Sequence, residues 1–181
     1  ETVQLDPRRN PLADKARVEA EFARTLGATR TIWLPRGLTR DYDEFGTRGH
    51  VDIVATFASP GVLLLHWQGD PAHPDHEVSV ELEGLLSSAR DARGERLEVV
   101  RVPAPRTLED EDGIVDWSYI NHLVVNEGVV ACTYDVPQDA ASLAVLEKAY
   151  AGRQVVGVDA RPLFARGGGI HVSGDLTLVD S

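Results

Sequence analysis

The stretch HVDIVATFASPGVLLLHW, residues 50–67, contains two apolar runs on either side of the turn sequence ASPG. Both runs are rich in β-branched and large apolar residues, and Pro60 and Gly61 lie in the middle of the turn. This pattern predicts two strands that form a β-hairpin. A helical pattern over 75–90 and a third apolar run, LEVVRV at 97–102, follow. The stretch therefore begins a unit with the order strand, strand, helix, strand.

The same order of predicted elements occurs again further along the chain. The runs YINHLVV and VVACTY are predicted strands joined by NEG, and they are followed by a helical segment, QDAASLAVLEKAY, and by the apolar run QVVGV. An internal repeat of one such unit is typical of propellers, solenoids and arrays. We therefore predict an α/β fold of repeated ββαβ units, with whole units at 50–102 and 118–159.

Each end of the chain resembles half of such a unit. Near the N-terminus a helix is predicted with four apolar residues on one face: Leu12, Val18, Phe22 and Leu26. Gly27 suits the end of this helix, and TIWL at 31–34 is predicted to be a short buried strand. GIHVS and DLTLV, separated by Gly174, are predicted to form a hairpin at the other end. The half units, 1–35 and 163–181, leave sheet edges that require a partner.

The composition also indicates that a further segment of the protein precedes this chain. The 181 residues contain no methionine and begin with Glu1, and an initiator methionine is normally removed only before a small residue. Glu1 is therefore not expected to be a translation start. We expect the N-terminal portion of the same precursor to be a separate chain that pairs with this one. The sequence leaves homo-oligomer formation open.

The net charge and the cysteine content exclude several classes of function. The formal net charge is -11 at pH 7, so the surface repels nucleic acid and anionic lipid and attracts small cations. Cys132 is the single cysteine, which excludes an internal disulfide, and its apolar strand predicts a buried, inert thiol. No apolar run has the length of a membrane span and no signal peptide opens the chain, so we predict a cytoplasmic protein without membrane contact.

A histidine and an aspartate form the first candidate site. In RGHVDIVATF the strand period of two places His50 and Asp52 on one face, directly after a glycine-containing loop. A histidine can transfer protons near neutral pH, and a neighbouring carboxylate can bind a cationic ligand or orient the imidazole. The alternative is a structural His–Asp hydrogen bond at the end of a strand.

A glycine triplet and a group of histidines were the other candidates. Gly167, Gly168 and Gly169 permit a ligand to approach the backbone closely, or they form a plain turn, and His171 follows them. The triplet lacks the Lys and Ser/Thr of a phosphate-binding loop. Three further histidines have close spacing but lie near prolines, which favours a solvated loop over a metal site: His66, His73 and His76. We predict no metal and no cofactor.

Seven separated motifs resemble the agmatine deiminase family, which includes the bacterial-type peptidylarginine deiminases. They are, in chain order, RNP, TIWLPRGL, GHVD, FASPGVLLLHW, SYIN, QVVGVDAR and GGGIH. The resemblance covers essentially the whole chain. It implies the pentein fold, an α/β propeller of five units around a central channel, of which this chain holds the C-terminal part with about three units.

The resemblance also implies residue roles and one departure from them. In the family a cysteine thiolate attacks the guanidinium carbon, a histidine transfers protons and a carboxylate binds the guanidinium group. His50 and Asp52 occupy the latter two positions, and Gly168, Gly169 and His171 are expected beside the small cationic substrate. The nucleophile position is Val172, whose side chain cannot form a covalent intermediate.

Three interpretations of Val172 remain open from the sequence. The protein is an enzyme of changed mechanism, in which His50 and Asp52 activate water or another chain supplies the nucleophile. Alternatively, it is a non-catalytic relative that binds a ligand or regulates a partner, or Val172 is an engineered substitution. Arg48, which stands where the family has a small polar residue, would repel a guanidinium group.

Overall fold

The computed structural model describes residues 1–43, 46–111 and 113–173. Two short 3₁₀ turns span Thr39–Tyr42 and Val51–Ile53. The helices and strands in chain order are α1 (Lys15–Leu26), β1 (Ala55–Ser59), β2 (Val62–Trp67), α2 (Asp75–Ser88), β3 (Glu98–Pro103), β4 (Glu109–Asp110), β5 (Gly113–Ile114), β6 (Leu123–Val124), β7 (Gly128–Thr133), α3 (Asp139–Ala149), β8 (Gln154–Asp159), α4 (Arg161–Phe164) and α5 (Ile170–Ser173).

Two three-stranded sheets form where the sequence predicts the two hairpins. In the first sheet β2 is central, antiparallel to β1 and parallel to β3. In the second sheet β7 is central, antiparallel to β6 and parallel to β8. Parallel neighbours need a crossover connection, which α2 and α3 provide. The predicted order of strand, strand, helix, strand is therefore observed twice. Within the described residues neither sheet closes on itself, and the five-unit propeller stays a prediction.

The central strand β2 contributes to two hydrophobic cores because its side chains alternate between the two faces of the sheet. Leu63 and Leu65 pack in a cluster with the buried face of α2, which includes Leu82. Leu64, on the opposite face, packs in a second cluster with Leu146 of α3. Leu64 and Leu65 are fully buried, and burial of each leucine contributes about 1.5–3 kcal/mol. The two sheets are thus joined through one strand.

Helix α1 is shorter and more exposed than predicted. The Asp14 side chain accepts a hydrogen bond from the Arg17 N–H at its start, and Gly27 ends it in the left-handed conformation at φ 66°. The prediction that Leu12 shares a helical face with Val18, Phe22 and Leu26 is wrong, and Leu12 and Leu26 are 86% and 74% exposed. Leu12 precedes the first helical residue, so it never joins the apolar face.

Three predicted strands are absent or shortened in the structure. TIWL at 31–34 has no ladder partner among the described residues. Only Leu123–Val124 of YINHLVV pair with β7, because the preceding residues turn back on themselves through a hydrogen bond from the His122 N–H to the Ile120 carbonyl. GIHVS contains α5 instead of a strand. DLTLV and the rest of 174–181 lie outside the described residues.

The third strands of the two sheets, β3 and β8, differ in how much of their surface is covered by helices. Helix α3 packs on β3 of the first sheet, where the Ser142 hydroxyl donates a 2.7 Å hydrogen bond to the Pro103 carbonyl. Helix α3 also packs on β8, but there Val156 and Val158 leave 47% and 42% of their surface exposed. Within the part of the chain that the structure describes, no helix is both long and apolar enough to cross a membrane.

Candidate functional site

The loop before His50 is organised around the buried carboxylate of Asp41. This carboxylate accepts hydrogen bonds from the Thr47 N–H (2.5 Å), the Thr47 hydroxyl (2.7 Å), the Gly49 N–H (2.5 Å) and the His50 N–H (3.1 Å). Asp41 is fully buried, so each donor loses its hydrogen bond to water and depends on this partner. Asp41 therefore sets the backbone position of His50. No role for Asp41 is predicted from the sequence, because it lies in a polar stretch that indicates only a loop.

The segment that carries His50 and Asp52 is a 3₁₀ turn, and the prediction of a strand from residue 50 is wrong. Val51–Ile53 form the turn, with a 2.9 Å hydrogen bond from the Val54 N–H to the Val51 carbonyl, and β1 begins only at Ala55. The Ile53 carbonyl accepts a hydrogen bond from the Ser118 hydroxyl at 2.7 Å, so a side chain takes the place of a strand partner.

The two predicted site residues are nevertheless brought together. His50 Nδ1 lies 3.8 Å from Asp52 Oδ1, and both side chains line a pocket of about 310 Å³. The side chains are 30% and 21% exposed, so solvent and a ligand can reach them. Apolar side chains form the opposite wall of the pocket: Phe22, Ile32, Trp33 and Leu34. The pocket therefore combines a proton-transfer group, a carboxylate and an apolar wall.

Arg9, from the RNP motif, contacts the other nitrogen of His50. Its Nη1 lies 2.9 Å from His50 Nε2. A guanidinium group only donates hydrogen bonds, so Nε2 is the acceptor and the neutral imidazole carries its proton on Nδ1. His50 can accept a proton on Nε2 only after Arg9 moves away. RNP carries part of the family resemblance, but its sequence alone predicts no contact between Arg9 and the site.

Asn121, from the SYIN motif, connects Asp52 to the glycine-rich segment. Its Nδ2 donates to Asp52 Oδ2 at 2.8 Å, and its Oδ1 accepts from the His171 N–H at 3.0 Å. Gly169 lies directly against this amide, since a Cβ at position 169 would be 2.1 Å from Asn121 Oδ1. The structure thus places Asn121, Asp52 and the turn that precedes α5 in one network. Asn121 had no predicted role.

A second buried hydrogen-bond network, formed by His66 and Ser118, stabilises the 3₁₀ turn through Ile53. His66 Nδ1 lies 2.9 Å from the Ser118 hydroxyl, which donates to Ile53, so Nδ1–H is the donor to Ser118. Burial lowers the pKa of His66 to about 4, and this imidazole stays neutral at physiological pH. Nearby, burial and then the charges of Asp41, Asp75 and Asp52 raise the pKa of Asp116 to about 6. Asp116 is therefore close enough to Asp41, Asp75 and Asp52 for their charges to act on it.

The remaining predicted ligand residues, Gly168, Gly169 and His171, are not among the described residues that line this pocket. Gly169 is buried, Gly168 is half-buried, and the His171 residue is exposed, with its backbone rather than its imidazole bonded to Asn121. The small size of Gly169 is required by packing against Asn121, and its predicted contact with a ligand stays a prediction. The backbone of Val172 lies in α5, but its side chain is outside the described part, so its place at the nucleophile position stays a prediction.

Two of the histidines weighed as metal ligands, and the single cysteine, have hydrogen-bond partners in the structure. His66 is bonded to Ser118, and His76 Nδ1 lies 2.9 Å from the Gln68 carbonyl. Among the described residues no three His, Cys, Asp or Glu side chains converge as metal ligands. The prediction of a buried Cys132 is confirmed, since its exposure is 0% and burial raises the pKa of its thiol to about 11. A thiol with such a pKa is not a nucleophile at neutral pH.

Arg48 adopts an unusual backbone conformation beside the site. Its φ is 70°, in the left-handed region that favours glycine and asparagine, and its N–H donates a 2.7 Å hydrogen bond to the Asp41 carbonyl. The residue is exposed, and together with Arg8 and Arg9 it lines a surface depression of about 400 Å³. The departure noted in the sequence therefore adds positive charge next to His50.

The known proteins that this chain resembles are named as deiminases. The family model described as Porphyromonas-type peptidyl-arginine deiminase matches residues 1–174. A relative from Streptomyces avermitilis, provisionally named an agmatine deiminase, is 54% identical over 173 residues, covering 94% of this chain and 50% of the relative. The agmatine deiminase of Pseudomonas fluorescens is 35% identical over 185 aligned positions, covering 92% of this chain and 49% of its own.

A solved structure with the same architecture is the agmatine deiminase of Enterococcus faecalis. Its TM-score is 0.82, its sequence identity is 27%, and the match covers 92% of this chain and 49% of that structure. The chain thus spans about half the length of the relatives that it matches.

Proposed function

This chain belongs to the Porphyromonas-type peptidyl-arginine deiminase family, and on that basis we propose that it forms part of the site of a hydrolase that cleaves a C–N bond of a guanidine or amidine compound. The observation that carries the proposal is the pairing of His50 with Asp52 in one pocket, 3.8 Å apart. The names of the relatives point to agmatine or a similar cation as the substrate.

The proposed reaction assigns one role to each of the two side chains. Asp52 binds the guanidinium N–H groups through its carboxylate, since charged hydrogen bonds of this kind fix the plane of the group. His50 removes a proton from the attacking nucleophile and returns it to the leaving nitrogen. With water as the nucleophile, a C–O bond forms, a C–N bond breaks, and ammonia and a urea-type product result. Arg9 must leave His50 Nε2 before that nitrogen can take the proton.

Val172 decides whether the covalent route of the family is open. The Val172→Cys substitution in the full-length protein is expected to raise ammonia release from agmatine by about tenfold or more, because a thiolate attacks the guanidinium carbon faster than water does. Ammonia is measured in a coupled assay with the wild type alongside. His50→Ala in the Val172→Cys background is the control and should abolish the gain. Equal rates for wild type and Val172→Cys contradict the placement of residue 172 at the reacting carbon.

A second candidate function is a non-catalytic relative that binds a guanidine compound. Two observations favour it: Val172 lacks a nucleophilic atom, and Arg9 occupies the lone pair of His50 Nε2. The same assay separates the candidates. Saturable binding of agmatine without ammonia release by the wild type supports the binding protein, and turnover that is lost in His50→Ala supports the enzyme.

We also propose that the N-terminal portion of the same precursor completes the molecule. Helix α3 packs on both β3 and β8, but Val156 and Val158 of β8 remain about half exposed, so β8 presents a second face for one more helix. We expect the intact mass of natively purified material to reveal a longer polypeptide or a second one. A monodisperse 19.7 kDa monomer with active-site binding would contradict this proposal.

A further inference from the structure

A single side-chain amide connects two distant segments of the chain at the candidate site. Asn121 is 69 positions from Asp52 and 50 positions from His171, and it is hydrogen-bonded to both. It is 1% exposed, so water does not compete for either bond. Buried polar groups of this kind are expensive to leave unpaired. The network therefore holds the two segments at a fixed separation.

The orientation of the Asn121 amide is determined by its partners. Asp52 Oδ2 can only accept, and the His171 N–H can only donate, so the carboxamide nitrogen must face Asp52 and the oxygen must face His171. A flipped amide would set oxygen against carboxylate and N–H against N–H.

The surroundings of Asn121 prevent the amide from moving aside. The Asn121 N–H donates to the Ser118 carbonyl at 3.3 Å, and its carbonyl accepts a 2.8 Å contact from Cys132 Sγ. Gly169 fills the side facing the glycine-rich turn, where even a Cβ would collide with the amide. Backbone and side chain are both held, so a shift of the turn would be transmitted to Asp52.

We propose that Asn121 is a positioning residue that aims the Asp52 carboxylate into the pocket and ties this aim to the turn leading to position 172. The bond to Oδ2 fixes the plane of the carboxylate and leaves Oδ1 directed toward His50 and the pocket. The bond to the His171 N–H fixes the start of α5. The distance between the Asp52 carboxylate and the backbone at position 172 is then fixed. We call the two Asn121 hydrogen bonds, to Asp52 and to the His171 N–H, the Asn121 bridge. The identity of the ligand rests on the proposed function, but the existence of the bridge does not.

Two substitutions separate the two arms of the bridge in the full-length protein. Asn121→Asp keeps an oxygen for the His171 N–H but places a carboxylate opposite Asp52, whereas Asn121→Leu removes both bonds at similar volume. Asn126→Asp, which adds the same charge at an exposed position in the NEG turn, is the matched control. Agmatine binding is measured by calorimetry, and amide hydrogen exchange is measured for a peptide covering residues 167–173.

Both Asn121 variants lose the hydrogen bond to the Asp52 carboxylate. We therefore expect them to bind agmatine about tenfold more weakly, and we expect Asn126→Asp to bind it as the wild type does. We expect exchange over 167–173 to be about tenfold faster in Asn121→Leu and close to wild type in Asn121→Asp. A residue with only a general stabilising role would change both readouts in parallel. This split between the readouts is therefore the signature of the bridge.

Two results overturn the inference: agmatine affinity in Asn121→Asp equal to that of the wild type, or unchanged exchange in Asn121→Leu. If the wild type itself does not bind agmatine, the proposed function fails, and exchange alone then decides the bridge. Protection retained in Asn121→Asp and lost in Asn121→Leu supports the bridge, and equal exchange in the two variants overturns it.

Discussion

Replacing Asp41 with alanine is expected to lower the free energy of unfolding by about 3 kcal/mol, because each buried donor left without an acceptor costs about 1–3 kcal/mol. The carboxylate is fully buried and accepts hydrogen bonds from Thr47, Gly49 and His50. Without it, the N–H and O–H donors of Thr47, Gly49 and His50 lose the acceptor that they share. The loss is measured by urea unfolding of the full-length protein.

The Asp41 prediction has a functional part as well. Because the His50 N–H is bonded to Asp41, the imidazole should lose its fixed position, and agmatine binding should weaken together with stability. Asp43→Ala is the matched control, since Asp43 is exposed and lies 3.7 Å from Arg40 in a surface ion pair, which contributes about 0–1 kcal/mol. If Asp41→Ala and Asp43→Ala cost the same, the carboxylate does not organise the loop.

Replacing Gly169 with alanine should displace the Asn121 amide. The added Cβ would lie 2.1 Å from Asn121 Oδ1 and 2.8 Å from Phe164 Cε2, and neither neighbour is a flexible chain end. Overpacking of this kind costs about 1–3 kcal/mol. The displaced amide would also release Asp52, so we expect agmatine binding to fall by about tenfold or more in calorimetric titration.

Gly84 provides the comparison for Gly169. It lies in α2 with no atom within 4 Å of an added Cβ, so Gly84→Ala should stabilise the helix by about 0.5–1 kcal/mol and leave ligand binding unchanged. Opposite signs for the two alanine substitutions are the expected outcome. A Gly169→Ala protein with wild-type stability and affinity would show that Asn121 does not pack against this glycine.

The hairpins and helices that the sequence predicted well are those with local signals. ASPG between two apolar runs specifies the β1–β2 turn, and the apolar periodicity of 75–90 specifies α2, because each signal lies within the segment itself. TIWL and GIHVS fail for a different reason. Short apolar runs fit a strand, a helix or a packed loop equally well, and the choice depends on a partner that lies elsewhere in the chain.

The candidate site shows the same division. His50 and Asp52 were identified from their own spacing, and they do lie together, although a 3₁₀ turn rather than a strand brings them there. Asn121 has no predicted role because its partners lie 50 and 69 positions away, and Asp41 has none because its polar stretch indicates only a loop. The sequence offered one usable signal for Asn121. An asparagine inside a predicted apolar strand is a buried amide that needs partners.

The left-handed backbone at Arg48 has a consequence for attempts to improve this protein by selection. A non-glycine residue at φ 70° stores strain of about 1 kcal/mol, which glycine or asparagine would relieve. A screen for heat resistance would therefore enrich uncharged replacements at this position. Each of them would remove a cation from the edge of the depression next to His50, so directed evolution for thermal tolerance alone would shift the electrostatic preference of the pocket.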